Sequence, residues 1–436
     1  MELKRFAVVL FLVAASLAQP SNQEAAASGG TVVLRGGRLL TITHGVIETG
    51  ILVIQNGKIA AVGAAGTTAI PPGARVIDAT GMTVYPGLID SETHLGLIEV
   101  AADRSTVDLV EESDEIMPHM HVYDAFHAET TLIPVTRING ITNAIVAPSA
   151  GDTLPGQDSF IQLAGRSANE MLMVRDIALP LNFTGSQRRN ESFEHAKFPQ
   201  TRMGMAAQLR QAFLDAQNYE QKMADYGKKK PGSGKKHEPP PKKDLKLESL
   251  LPYLHGQKPV VLAAEEPNDI ETALDLAHEF HLKVILNHAM HSTRLLDKIA
   301  ASGFPVIVGP IYEDPKEYER YDAVFRLPAE MVRHGIKIAF ASYDAHQVRN
   351  LPYAAGYAVA FGLPYEEALK AITINPAQIW GVDQQLGSLD VGKMANVVVA
   401  NGDPLDVKTD VKHVFIAGEE IPLVNKQTEL RDRYWQ

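Results

Sequence analysis

The stretch VYPGLIDSETHLG, Val84 to Gly96, ends an apolar run in a carboxylate and an imidazole two residues apart. In an extended chain residues i and i+2 share a face, so Glu92 and His94 point to one side. Three further apolar runs end in a similar way. Lys283 to His291 carries His288 at its end and His291 just beyond; Ile338 to His346 closes on Tyr343, Asp344 and His346; Pro259 to Glu265 closes on Glu265. His, Asp and Glu side chains in the absence of cysteine suit Zn²⁺, Mn²⁺ or Fe²⁺. An ion of that kind lowers the pKa of bound water and polarises a carbonyl. Each of these residues alone reads equally well as a solvated strand end or a packed histidine. Convergence of four strand ends on one face is what favours chemistry.

The elements that position them follow from the same runs. Val84–Asp90, Ile141–Ala147, Val260–Ala264, Val284–Asn287, Val306–Gly309 and Ile336–Ser342 read as strands. Helical patterns stand at Asp269–His281, Thr293–Ser302 and Tyr365–Ile372. Strands apolar along their length, alternating with helices, predict a parallel α/β sheet. The span suits a (β/α)8, TIM-like barrel over residues 84–380, in which strand C-termini carry the chemistry. A doubly wound open sheet is the structural alternative. Short strands with Gly- and Asn-bearing turns at 31–83 return at 386–425, predicting one small composite β-sandwich built from both chain ends. His119, His121 and His127 fall in a loop or lid between barrel elements.

Composition removes several classes. The chain has 436 residues, more than the roughly 250–300 at which one core stops growing. A net charge of −11 argues against a dedicated nucleic-acid binder, which needs a basic footprint. With no cysteine there is no disulfide, thiolate metal site or cysteine nucleophile. Lys4 and Arg5, the apolar run Phe6–Ala15 and the small residues of Ser16-Leu17-Ala18 have the order of a secretory signal over residues 1–18. That predicts export, most simply to a bacterial periplasm, and no stable membrane anchor. The lysine- and proline-rich segment 222–246 reads as a solvated loop inserted between helices.

At this point the chain resembles the amidohydrolase superfamily, and within it the secreted, imidazolonepropionase-like branch. The matching segments are VYPGLID (Val84–Asp90), ITINPA (Ile372–Ala377) and GSLDVGK (Gly387–Lys393), with the flanking strands at both chain ends. The resemblance implies a barrel beside a composite sandwich, and hydrolysis of amide or other C–N bonds, often in rings, with one or two metal ions. It also marks departures. The family's first strand ends His-x-His, where this chain has Glu92-Thr-His94. Ala263 falls where a fifth-strand histidine is expected. His288 matches the sixth-strand histidine. Tyr343 falls where an aspartate should activate water, with Asp344 one residue late.

The resemblance thus implies a hydrolase with an altered site. Glu92, His94 and His288 hold one divalent metal, Zn with Mn or Fe as alternatives. Asp344 is the catalytic base, and His291, His346 and Glu265 contact a small amide, cyclic amide or dipeptide substrate. The competing reading is a catalytically degenerate relative without metal, which binds a ligand or pairs with an active homologue. A homo-oligomer fits either. A carbohydrate or peptide binder of another fold is the third.

Overall fold

In a computed structural model of the chain, residues 30–111, 113–183, 198–199, 201–228 and 239–435 are described. The proposed signal at 1–18 lies outside them. Among the described residues no helix is long and apolar enough to cross a membrane.

The N-terminal part contributes β1 (Val32–Leu40), β2 (Val46–Gln55), β3 (Lys58–Ala64), β4 (Arg75–Asp78) and β5 (Thr83–Pro86). β2 and β3 are joined by Asn56-Gly57 alone, with φ of +51° and +74°. Both are left-handed, the pair that a two-residue hairpin turn demands. The barrel follows with β6 (Leu88–Thr93), β7 (Ile141–Val146), β8 (Asp158–Gln162), β9 (Leu172–Asn182), β10 (Val260–Ala264), β11 (Val284–His288), β12 (Val306–Val308) and β13 (Ile338–Phe340). The C-terminal part supplies β14 (Val397–Ala400), β15 (Val411–Ile416) and β16 (Glu419–Ile421).

The strands of the two chain ends pair with one another. They make one eight-stranded sheet in the order β16-β15-β14-β5-β1-β2-β3, with β4 on β1. β5 and β14 zip the ends together antiparallel, Val84 opposite Val399 and Tyr85 opposite Val398. Val84, Val397, Val399, Leu39 and Phe415 fill the core of this sheet.

The expected strand Val84–Asp90 is two strands. It divides at Gly87, with Thr83–Pro86 in the joined-end sheet and Leu88–Thr93 in the barrel. A Cβ at Gly87 would lie 2.2 Å from Thr142 Oγ1 and 2.4 Å from its Cγ2. Only glycine lets the two sheets meet this closely.

The barrel sheet runs β6 to β13 in chain order. It is parallel except at β8, which is antiparallel to both neighbours. The strict (β/α)8 expectation is therefore corrected to a nearly closed eight-stranded barrel with one reversed strand. β8 and β9 were missed because no long helix separates them from β7; only Ala168–Met171 intervenes. Ile89, Ile145, Phe160, Ala178, Val261, Ile285, Ile307 and Ala341 point inward and form one apolar layer. Their outward neighbours, such as Leu262, Leu286 and Phe340, pack under the helices. Helices at Pro267–Phe280, Leu296–Ser302 and Tyr365–Lys370 follow the expected segments.

The inserted segment is less of a loop than its composition suggests. Helix Arg202–Lys228 runs through its first seven residues, burying Met205, Leu209, Phe213 and Ala216 on one face. A second helix, Leu245–Leu254, is capped by Asp244, whose carboxylate accepts from Lys246 N and Leu247 N. Residues 229–238 lie outside the described set.

Gly87→Ala is expected to lower stability by about 1–3 kcal/mol through overpacking. Gly66→Ala, with no atom within 4 Å of the added carbon, should stay within about 0.5 kcal/mol. Urea denaturation of both variants checks this. An unchanged midpoint for Gly87→Ala would remove the steric argument.

Candidate functional site

β13 is three residues long, too short to close the barrel by a full ladder against β6. The segment after it, Ser342–Asp344, makes the seam. Tyr343 N donates to Glu92 O at 3.0 Å, and His94 N donates to Asp344 O at 3.3 Å. The Thr93 hydroxyl donates to the same carbonyl at 2.5 Å. Asp90, fully buried, accepts from Ser342 N at 3.1 Å and from Glu92 N at 3.2 Å. Glu92 and His94 therefore project from a strand whose edge is stitched to the Tyr343 loop.

The neighbouring strands complete the layer. Asn182, Ala263 and Asn287 are in register on β9, β10 and β11, with Ile307 next on β12. Asn287 is the hub. Its Nδ2 donates to Glu92 Oε2 at 2.5 Å, and its Oδ1 accepts from the Tyr343 hydroxyl at 2.6 Å. The same Oδ1 accepts from His288 N at 3.0 Å. The Tyr343 hydroxyl also lies 3.2 Å from Ile307 O. The rings of Tyr343 and His288 stack, 4.3 Å between centroids at 24°. His288 and Tyr343 both adopt left-handed backbone, φ +65° and +53°. That costs about 1–2 kcal/mol per residue and persists where surrounding contacts over-determine it.

Both imidazoles are oriented by carbonyls. His94 Nδ1 is 2.9 Å from Ala147 O, and His288 Nδ1 is 3.0 Å from Gly309 O. A carbonyl only accepts, so Nδ1 carries the hydrogen and Nε2 keeps its lone pair. Burial is the largest cause acting on each ring and pushes its pKa below the usual 6.5, against these hydrogen bonds.

The carboxylates shift the other way. Burial raises Glu92 to about 8, against the hydrogen bond from Asn287 and with the charge of Asp90. Burial raises Asp90 to about 7 and Asp158 well above its ordinary value. The charges that push these groups further up are those of other carboxylates: Asp344 on Asp90, Asp90 on Glu92, Glu92 on Asp158. Asp90 Oδ2 and Asp158 Oδ1 have no hydrogen-bond partner. Burial outweighs the hydrogen bonds these groups accept and shifts all three towards the protonated form.

The remaining expected residues stand elsewhere. The Asp344 carboxylate accepts from His346 N at 2.5 Å and Gln347 N at 3.1 Å, so it caps its own loop. His346 is exposed and its Nε2 meets Glu99 O at 3.1 Å. His291 is buried in a pair with Glu319, Nδ1 to Oε2 2.9 Å, and its N meets Glu265 O at 3.4 Å. Glu265 is half-buried and its charge acts on His288. In the loop over the barrel, His121 is held by Asp176 at 2.6 Å and His127 by Asp108 at 3.3 Å. Asp90, Asp158 and Asn287 were not singled out from sequence. Asn287 immediately precedes His288, and Asp158 lies two residues before inward Phe160, on the same face of its strand; those were the available signals.

The donor set does not fit a metal ion. Among the described residues no three or more His, Asp or Glu side chains are grouped to hold one. Glu92 Oε2 is already bonded to Asn287 Nδ2. Ala263 contributes a methyl group, and the Tyr343 hydroxyl is committed to Asn287 and Ile307.

The comparisons with known proteins agree with this architecture. The amidohydrolase family model matches residues 263–421. The chain is 26% identical over 406 residues to an imidazolonepropionase of Symbiobacterium thermophilum, covering 84% of this chain and 90% of that protein. It is also 26% identical over 394 residues to the amidohydrolase tasK of Hapsidospora irregularis; this covers 86% of the chain but 39% of that longer protein. The crystal structure of an amidohydrolase from Thermotoga maritima superposes with a TM-score of 0.81 at 27% identity, covering 89% of this chain and 99% of that one. In its barrel, its joined-end sheet and these matches the chain is similar to members of the amidohydrolase superfamily.

Tag-free protein loaded with excess Zn²⁺ and then desalted is expected to retain well under one Zn per chain, read by elemental analysis. Retention of one equivalent would overturn the donor-set argument. Tyr343→Phe removes the hydroxyl from a buried pair and should cost about 1–3 kcal/mol, read by thermal or urea denaturation.

Proposed function

We propose that the protein is a hydrolase that cleaves a C–N bond in a small amide or cyclic amide. The observation that carries this is the opposite displacement of two groups that are each bonded to Asn287. Glu92 is raised to about 8 and is a carboxylic acid at neutral pH. His288 is lowered and is a neutral imidazole with Nε2 unprotonated. Two groups whose surroundings push them apart in this way form an acid and a base. Asn287 holds both in place, through its side chain on Glu92 and its oxygen on His288 N.

In this mechanism His288 Nε2 takes a proton from water as the oxygen bonds to the substrate carbonyl carbon. The C–N bond then breaks, and Glu92 gives its proton to the departing nitrogen. The proton on His288 passes back to the Glu92 carboxylate and restores both groups. No step is routed through a metal. The reaction class also draws on the relatives, one of which is named for an imidazolone substrate. We further propose that the protein acts after export, on the strength of the N-terminal residues 1–18.

A second reading draws on Ala263 and Tyr343. A methyl group and a committed phenol stand where the resemblance led to an imidazole and a carboxylate. In that reading the barrel binds a ligand without turning it over, or pairs with an active homologue.

The expected pH profile of kcat/KM is a bell. Activity needs His288 unprotonated, so it falls as pH drops below 6.5. Activity needs Glu92 protonated, so it falls as pH rises through about 8. Glu92→Gln and His288→Ala should each lose about 10²–10⁴-fold, and Glu92→Gln should lose the alkaline limb. His346→Ala should remain within about 3-fold, being exposed and outside the pair. A panel of cyclic amides and N-acyl dipeptides, assayed from pH 5 to 9, provides the test. Full activity in Glu92→Gln sinks the mechanism. No turnover by the wild type on any member favours the second reading.

A further inference from the structure

Beside the barrel mouth a separate cavity of about 470 Å³ opens between the loop after β11, the loop ahead of helix Ala323–Arg333, and that helix. Neither Glu92, His94 nor His288 lines it. Its volume falls in the range of small-molecule sites.

The cavity gathers three guanidiniums: Arg294, Arg320 and Arg326. Asp322, nearly buried, is the shared partner of two. Arg320 grips it with two bonds, Nε–Oδ1 2.9 Å and Nη2–Oδ2 3.2 Å, and Arg326 Nη1 lies 3.6 Å from Oδ2. The other acids on the wall are also engaged. Glu319 accepts from His291 Nδ1 and from Lys316 N, and Glu330 pairs with Arg333. Arg294 is different. Its guanidinium lies over the Tyr318 ring, 5.6 Å from the centroid, and among the described residues it has no carboxylate partner. The lining also includes the apolar side chains of Pro267, Ala323 and Leu327.

We propose that this cavity binds a small carboxylate with an apolar body. The carboxylate bonds to the planar fork of Arg294, the geometry that guanidinium and carboxylate share. Arg320 and Arg326 share the single Asp322 carboxylate, an arrangement that offsets the negative charge of Glu319 on the same wall. The apolar body lies between Tyr318 and Leu327. A phosphate satisfies the charge and leaves the apolar wall uncovered, so a carboxylate on an apolar frame is the better match.

The probes are benzoate and inorganic phosphate, titrated into the full chain by isothermal calorimetry at low ionic strength. Benzoate is expected to saturate at one site and to bind more tightly than phosphate. Arg294→Ala should weaken benzoate at least 10-fold, and Arg294→Lys should recover only part of the loss, since lysine keeps the charge without the fork. Tyr318→Ala should weaken benzoate and leave phosphate nearly unchanged. Arg294 and Tyr318 are exposed, so both variants should keep the wild-type thermal midpoint, which the same samples report. Absence of saturation, or unchanged affinity in Arg294→Ala, overturns the proposal. Phosphate binding as tight as benzoate overturns the apolar part of it. The binding readout involves no turnover and is independent of the hydrolase reading.

Discussion

The barrel depends on its seam. Seven of its strand-to-strand contacts are ladders, but β6 and the short β13 meet through an irregular segment. Ser342, Tyr343 and Asp344 supply that contact with backbone and side-chain bonds to Asp90, Glu92, Thr93 and His94. A seam made this way cannot be polar-neutral at its upper end. The side chains that project from it are the carboxylates and imidazoles of the site, and Asn287 ties the β11 side to the same group. Closing the barrel and assembling the site are thus one structural event. The left-handed turn at Tyr343 carries its ring across to His288 while its N still reaches Glu92 O.

Desolvation then decides the protonation states. An isolated ionised carboxylate in a low-dielectric interior costs far more than a hydrogen bond returns, and the group keeps its proton instead. The bond from Asn287 to Glu92 favours the ionised form, yet burial and the charge of Asp90 outweigh it. The same burial strips protons from the two imidazoles. One physical cause therefore acts in opposite directions on the two residue types. It shifts Glu92 towards the acid form and His288 towards the neutral base.

The sequence carries the architecture more plainly than the site. Apolar strands ending in Glu92, Glu265, His288 and Asp344 correctly mark the C-terminal face of a barrel, because strand burial leaves a strong pattern. Four features were illegible for identifiable reasons. Gly87 hides a change of sheet inside one continuous apolar run, since a hinge needs no change of composition. β8 has no helix before it, so the alternation that marks parallel strands gives no signal there. Asp344 looks like a base because it follows an apolar strand. Its side chain instead caps the next loop, and only the left-handed turn at Tyr343 explains the change of direction. A positive φ at a tyrosine has no signature in the residue types around it. Asn287 was passed over because an amide does no proton chemistry; its importance comes from having a donor and an acceptor that face different strands.

A barrel of this kind can balance buried carboxylates with a cation or with protons. Asp90, Glu92 and Asp158 act on one another with like charge, and no lysine or arginine is among the groups that move them. Ala263 and the committed hydroxyl of Tyr343 leave too few donors to gather an ion at their level of the barrel. In the proposed reading protons take that place. A proton differs from a metal in one decisive respect: it exchanges with solvent across the neutral range. A site balanced by protons is correspondingly governed by pH, and its chemistry is limited to moving them between groups that burial has already set apart. In the proposed mechanism Glu92 and His288 are such groups, each bonded to Asn287, which can neither gain nor lose a proton in this range.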